Sequence, residues 1–455
     1  MDLEKITKSL KFSDFEIIKN IGQGNFTTIH YMFHKKYPNK YYAIKICDQQ
    51  KVKSLRKETD VLMEKHALNK VKLKCRETGI PDEDFPVVKL ISTFKDESSL
   101  YFLTELLPSK DELWEHCRTF GLFDDQQIRY TFYQICKSVA FLHDLNIVHR
   151  DLKPENMFYA KNQSQVKLID LGSAEDLENA QVRQTHIDDN PKRTQHVHFV
   201  GTPQYMAPEC VRNQGAFLSS DIWSLGVILY QLYLGLLPFR GKSDYLIFIQ
   251  STIAKYRLEE YPDILIPQYA KELIQKMIQV DKEQRFSISQ VLEDKFFQEI
   301  KNCKEMPQMN QIDLKIKEVC NDFIQRGNVF KFDGEAKFEE YFEQTLKPQF
   351  YELVQNSQIE SVIQDTQNMS LEDSKIESNL QSSLKPTTYT KQEVDIKMKH
   401  IKLLAKNFIF DIEPYPEDIE MQQDLIKQQQ KEYAQQASND PKDDDLENDS
   451  EEDAE

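Results

Sequence analysis

The chain has 455 residues, room for one large two-lobed domain with tails or for two or three average domains. Its 40% hydrophobic content supports a sizeable core, and no run of eighteen apolar residues marks a membrane span. A net charge of −17 argues against a general nucleic-acid binder; ten acids and one Lys between Asp440 and Glu455 supply −9 of it, leaving −8 for the rest.

The N-terminus, "MDLEKITKSLKF", has no apolar segment of the secretory kind. The seven cysteines are scattered without a CxxC pair, the usage of reduced thiols, neither a disulfide frame nor a zinc site. Both features lead us to expect a cytoplasmic protein with possible nuclear access.

From residue 15 to 298, strand-like and helix-like stretches alternate, an α+β pattern. "DFEIIKNIG" reads as a strand leading into "IGQGNFTTI", Ile21 to Ile29. Gly22 and Gly24 let backbone lie close over phosphates, with Gln23, Asn25, Phe26 and Thr28 completing the loop and Thr27 standing where a third glycine is expected. A glycine pair alone equally suits an ordinary hairpin. The strand "YYAIKI" then places Lys45 about twenty residues on, the spacing of a phosphate-gripping lysine. Such an ammonium needs a helix carboxylate to orient it. Glu58 and Glu64 both stand in an E-x-x-x-L pattern; Glu64 in "VLMEKHAL" is preferred by spacing, which makes residues 72–85 an insertion before the next strand.

"SSLYFLTELL" is the next strand, and "DQQIRYTFYQICKSVAFLHDL" has apolar residues at helical spacing. The octamer "HRDLKPEN", His149 to Asn156, is the most specific signal in the chain. Asp151 is suited to orient a substrate hydroxyl, Lys153 to neutralise charge on a transferring phosphoryl group and Asn156 to ligate Mg²⁺. In "IDLGSAED", Asp170 is a second Mg²⁺ ligand, with Leu171 in place of an aromatic. Glu209 of "APE" is expected to pair with Arg285, and Asp221 to brace the loop around Asp151.

These motifs resemble the protein-kinase family over residues 15–298, and Lys153 fits its Ser/Thr class. The resemblance implies a bilobal fold: a β-rich N-lobe (15–107) with one helix, and a helical C-lobe (108–298). It implies ATP and Mg²⁺ as cofactors, a hinge from Glu105 to Leu107, Thr104 at the back of the nucleotide pocket, and Ala43, Ile29 and Phe158 around the adenine.

"ISTFKDESSLYFL", "HFVGTPQYMAPE" and "GLLPFRGKSDYLIFIQ" look more closely like the phosphoinositide-dependent type within the protein kinase A, G and C group. That resemblance implies substrates that are themselves kinases, docked through phosphorylated hydrophobic motifs in an N-lobe pocket. By position, Val52, Val61 and Leu100 would line it, and Lys65, Thr93 and Lys95 would hold the phosphate, unless these lysines form a plain solvated face. The activation segment departs from the family. His198, four residues before Thr202, replaces a phosphorylatable residue, and Glu175 replaces a basic one. We therefore expect Glu175 to supply the anion, pairing with Arg150 and His198, with phosphate on Thr194 or Thr185 as the alternative.

Beyond the motifs, residues 1–14 read as an extension, 299–355 as a helical extension, and 356–455 as a polar, acidic, largely disordered tail with short helices. No pleckstrin-homology domain is recognisable there. "KMKHIKLLAK" offers at most weak membrane contact and is expected to pack on the kinase instead; "KFEEYFEQ" distantly resembles a hydrophobic motif. Two other readings stay open: a pseudokinase scaffold, or a kinase of the same group with other substrates.

Overall fold

The computed structural model describes residues 10–114, 124–161, 163–179, 201–309, 313–314, 317–318, 335–352 and 389–410. The three N-lobe strands read from the sequence join two more in one antiparallel sheet. Its members are β1 (Phe15–Gln23), β2 (Thr27–His34), β3 (Tyr37–Asp48), β4 (Leu90–Lys95) and β5 (Ser99–Glu105), in the spatial order β1-β2-β3-β5-β4. Because side chains alternate along a strand, Tyr42, Ile44, Tyr101 and Leu103 share a small outer core with Leu10 and Phe15. Cys47 and Phe102 belong to the main core, and in register Lys45 lies opposite Phe102 and Ala43 opposite Thr104.

The Asp48 carboxylate ends β3 by accepting from the Gln50 and Lys51 amides, capping α1 (Gln49–Ser54). Next comes α2 (Glu58–Glu77), with acids in its first turn and bases in its last, matching the helix dipole. Residues 72–77 of the expected insertion continue this helix, and a short turn follows at Asp82–Asp84.

The C-lobe contains α3 (Asp125–Asp144), the one-turn α4 (Pro208–Val211), α5 (Leu218–Leu234), α6 (Asp244–Thr252), α7 (Gln268–Met277) and α8 (Ile288–Glu293). Apolar around nearly its whole circumference, α5 is the central, enclosed helix. It ends at Gly235, whose φ of 65° is one that glycine adopts without strain. Two small ribbons carry the site: β6 (Ile147–Val148) with β9 (Glu175–Asp176), and β7 (Met157–Ala160) with β8 (Gln165–Leu168).

In the C-terminal region the helix is longer than the short ones expected, and it packs against the preceding domain, as "KMKHIKLLAK" was expected to do. After α9 (Glu335–Tyr341), the basic stretch lies in α10 (Lys391–Phe410), a 20-residue helix, and its Val394, Met398, Ile401 and Leu404 are buried with Phe338, Phe342, Leu346 and Phe350 in the main core. Repeating every three or four residues, these positions form the stripe of a packed helix, so the side a membrane would need is used inside the protein. His400 Nε2 donates to the Leu234 carbonyl at 2.9 Å, and burial lowers its pKa, keeping the ring neutral. The "KFEEYFEQ" aromatics are used here too: Phe342 lies under the Lys402 ammonium, 5.4 Å from the ring centre. The rest of the predicted tail lies outside the described residues.

Candidate active site

Lys45 sits where three elements meet. From β3 its Nζ donates to Glu64 Oε1 and Oε2 on α2, at 2.7 and 3.0 Å, and to Asp170 Oδ1 at 2.9 Å. The structure thus pairs Lys45 with Glu64, while Glu58 lies exposed at the start of α2. Burial opposes the charge on Lys45, but two carboxylates outweigh it and raise the pKa. Glu64 is raised by burial and by the neighbouring Asp170. Asp170 moves the other way: the Lys45 charge brings it from 3.8 to about 2.

Asp170 itself is left-handed, with φ 57° and ψ 78°, and its carboxylate accepts from the Gly172 amide, a local turn that Asp tolerates. The next residue, Leu171, is fully buried and fills the apolar position.

Across the cleft, Asp151 is held from several sides. Thr202 Oγ1 donates to its Oδ1 at 2.8 Å, Lys153 Nζ lies 2.9 Å from its Oδ2, and Asn156 Nδ2 donates to the same oxygen at 3.1 Å. Lys153 also donates to Thr202 Oγ1 at 2.7 Å. Beneath them the buried Asp221 accepts from the His149 and Arg150 amides at 2.8 and 2.9 Å and contacts His143 Nε2 at 3.0 Å. These amide contacts hold Arg150 at φ 66°, a strained conformation for a non-glycine residue. Gly201, at φ 112°, passes so close that a Cβ there would meet the Arg150 carbonyl at 2.6 Å. That approach brings Thr202 to Asp151.

Arg150 Nε donates to the Ser173 carbonyl, and its Nη1 lies 3.2 Å from Glu175 Oε2. The expected partners His198, Thr185 and Thr194 lie outside the described residues. Glu209 and Arg285 form a two-pronged buried pair at 2.6 and 2.7 Å.

For the nucleotide, the glycine turn is closed by Gly24 N donating to the Thr27 carbonyl at 2.8 Å. Ile29 packs where a Cβ on Gly22 would meet it at 3.3 Å. Thr104 lies opposite Ala43, and Phe158 opposite Lys167 on the other lobe. The side chain of Glu105 is turned to Lys167 Nζ (2.8 and 3.0 Å) and to the Lys89 amide. Sequence reading passed over Lys167; its only signal is a Lys inside the apolar strand "QVKL".

Around the expected docking pocket, Val52 and Val61 are buried in the core against which Leu100 packs. Lys95 lies opposite Leu100 and Thr93 opposite Phe102, while Lys65 projects from α2 into solvent.

Residues 15–297 match the protein kinase domain family. The chain belongs to the protein kinase family. Its kinase domain is 32% identical over 296 residues to 3-phosphoinositide-dependent protein kinase B of Dictyostelium discoideum, covering 65% of this chain and 30% of that protein. It is 31% identical over 278 residues to 3-phosphoinositide-dependent protein kinase 1 of Homo sapiens, covering 61% and 45%. The same identity and length hold for the human putative 3-phosphoinositide-dependent protein kinase 2, covering 61% and 63%. The chain therefore spans between about a third and two thirds of these relatives' lengths.

Protein kinases use ATP, generally with Mg²⁺. The donor set suits that ion. Asp170 and Asn156 offer hard oxygens, and two carboxylates surround the single ammonium of Lys45. Asn156 spends its Nδ2 on Asp151, which directs the amide oxygen elsewhere.

Proposed function

We propose that this protein transfers the γ-phosphoryl group of ATP to Ser or Thr of protein substrates, and that these include the activation loops of related kinases. The observation that carries the reading is the Asp151–Lys153–Thr202–Asn156 cluster, facing Lys45, Glu64 and Asp170 across one cleft. Asp151 would orient the attacking hydroxyl and take up its proton. Lys153, already between Asp151 and Thr202, would offset charge on the transferring group. Lys45, fixed by Glu64, would hold the α- and β-phosphates, and Asp170 and Asn156 would hold the metal. Mg²⁺, when bound, neutralises charge on the β- and γ-oxygens. Purified protein given Mg·ATP and a panel of activation-loop peptides should phosphorylate Ser or Thr; no turnover on any of them, with ATP bound, would favour a scaffold.

The substrate reading rests on the likeness to phosphoinositide-dependent kinases and on the surface around Leu100. Leu100→Glu or Lys65→Ala should lower kcat/KM about tenfold for full-length partners carrying a phosphorylated hydrophobic motif, a loss typical of one charge-assisted contact. Short peptides without the motif should be spared. Equal losses on both substrates would remove docking as the explanation.

Glu175 would take the place of an activating phosphate. A carboxylate paired with Arg can serve much of that role, and Arg150 already holds one here. Bacterially made enzyme should keep its activity through complete phosphatase treatment, whereas Glu175→Gln should lose about tenfold, one charge-assisted contact's worth. Collapse on dephosphorylation with Glu175→Gln unaffected would reverse this assignment and point to Thr194 or Thr185.

No helix among the described residues is long and apolar enough to cross a membrane.

A further inference from the structure

Asp176 has no part in the phosphoryl-transfer machinery above, yet its side chain is completely buried. It lies in β9, six residues after Asp170, and β9 pairs with β6 just before the catalytic loop. Its Oδ2 accepts from Lys70 Nζ at 2.9 Å and from His66 Nε2 at 2.7 Å. Both donors project from α2, one turn apart, and α2 is the helix that carries Glu64. The contact is reinforced from the C-lobe side. Asp176 Oδ1 accepts the Glu178 amide at 3.0 Å. Lys70 Nζ also donates to Glu178 Oε2 and the Leu145 carbonyl, both at 2.8 Å. Asn146 Nδ2 donates to Glu178 Oε1 at 2.8 Å, and the Leu177 amide to the Asn146 carbonyl at 2.9 Å.

A carboxylate removed from water is tolerated only where cations and donors meet it. Two of the donors that meet Asp176 come from α2, whereas Asp176 itself belongs to the segment following Asp170. Moving α2 outward would strip a buried anion of these partners at the same moment that it separated Glu64 from Lys45. The two contacts are therefore made or lost together.

We infer that Asp176 is a positioning residue: through Lys70 and His66 it fixes α2 where Glu64 engages Lys45, so that the nucleotide-gripping pair is assembled without any second molecule acting on α2. This inference rests on the kinase reading for its catalytic consequence but not for its structural one.

The test uses the full chain in three forms, Asp176→Asn, Lys70→Met and Lys70→Arg, beside the wild type. In nucleotide-free protein, hydrogen exchange at the amides of residues 61–71 should quicken about tenfold or more in the Asn and Met variants, as expected when a local unit is released. Amides of residues 218–234 should be unchanged. The KM for ATP should rise and kcat fall in the same two variants, together lowering kcat/KM by about 10²-fold, the scale of a misplaced catalytic group. Lys70→Arg keeps the cation and should restore most of both readouts. Unchanged exchange in α2 of Asp176→Asn overturns the inference, and so does equal quickening in residues 218–234, which would mark general loss of stability. A wild type that neither turns over nor binds Mg·ATP would refute the kinase reading alone, because the exchange result would still stand.

Discussion

Asp170→Ala should abolish phosphoryl transfer, with kcat lowered by about 10³-fold or more, the scale of removing a preorganised charge from a transition state. Its carboxylate stays ionised at any working pH, because Lys45 holds its pKa at about 2. A depressed carboxylate contributes stability above its unfolded pKa, near 3.8, and loses it only as pH falls toward 2, so acid cannot explain a loss seen at neutral pH. Alanine also tolerates the left-handed backbone at this position less well than Asp. Asp170→Asn therefore serves as the control that keeps the turn and deletes the charge. Asp151→Asn should fall on a similar scale, since it removes the group that orients the hydroxyl. Single-turnover kinetics with each variant decide the matter: turnover within tenfold of wild type in a clean Asp170→Ala preparation would remove Asp170 from the metal site.

The largest loss of stability should come from Arg285→Met. Its guanidinium is fully enclosed, pairs with both Glu209 oxygens, and also donates to the Gln279 and Ser219 carbonyls. Burial alone would raise the Glu209 pKa, but the Arg285 hydrogen bonds and charge outweigh it and hold the carboxyl below its ordinary value. Removing the cation leaves a buried anion that keeps the Ser220 hydroxyl as a side-chain donor, and breaking one side of such a pair costs about 3–5 kcal/mol. For a domain of this size that is a fall of roughly 10 °C in melting temperature. Adding Glu209→Gln, which removes the orphaned charge, should recover part of the loss. A melting temperature within about 2 °C of wild type for the single variant would mean the pair is not structurally needed.

Much of the site could be read from the sequence because its chemistry is local. "HRDLKPEN" puts Asp151, Lys153 and Asn156 within six residues, and their contacts to one another span only a few positions. Lys45 could be read because a strand fixes the direction of its side chain, and Glu64 because the spacing of its helix fits that direction. The expected Glu209–Arg285 pair links residues 76 apart, yet each half sits in its own recognisable motif. Asp176, His66, Lys70 and Lys167 were not legible. In sequence each looks like an ordinary solvated charge, and only the meeting of residues up to 110 positions apart makes them interior. The inward packing of "KMKHIKLLAK" was expected, but neither the length of α10 nor its partners were legible. Its apolar stripe is interrupted by lysines, and the carbonyl that receives His400 lies 166 residues away. Of the residues that positional likeness names for a docking pocket, Val52 and Val61 are buried.

The contacts made by α10 separate two meanings of the word domain. The unit recognised by family likeness stops at residue 297, but the packed core of the described residues does not. Gln127 and Tyr130 of α3 bond to carbonyls at Pro307 and Lys304, and Leu234 at the end of α5 is met by His400. A fragment trimmed at the homology boundary would uncover the apolar surface now matched by Met398, Ile401 and Leu404 and leave the last turn of its central helix short of a donor. We expect such a fragment to self-associate or unfold more readily than the full chain even with every catalytic residue present; a monomeric fragment with the melting temperature of the full chain would refute this. Material for biochemistry should therefore retain the chain through Phe410.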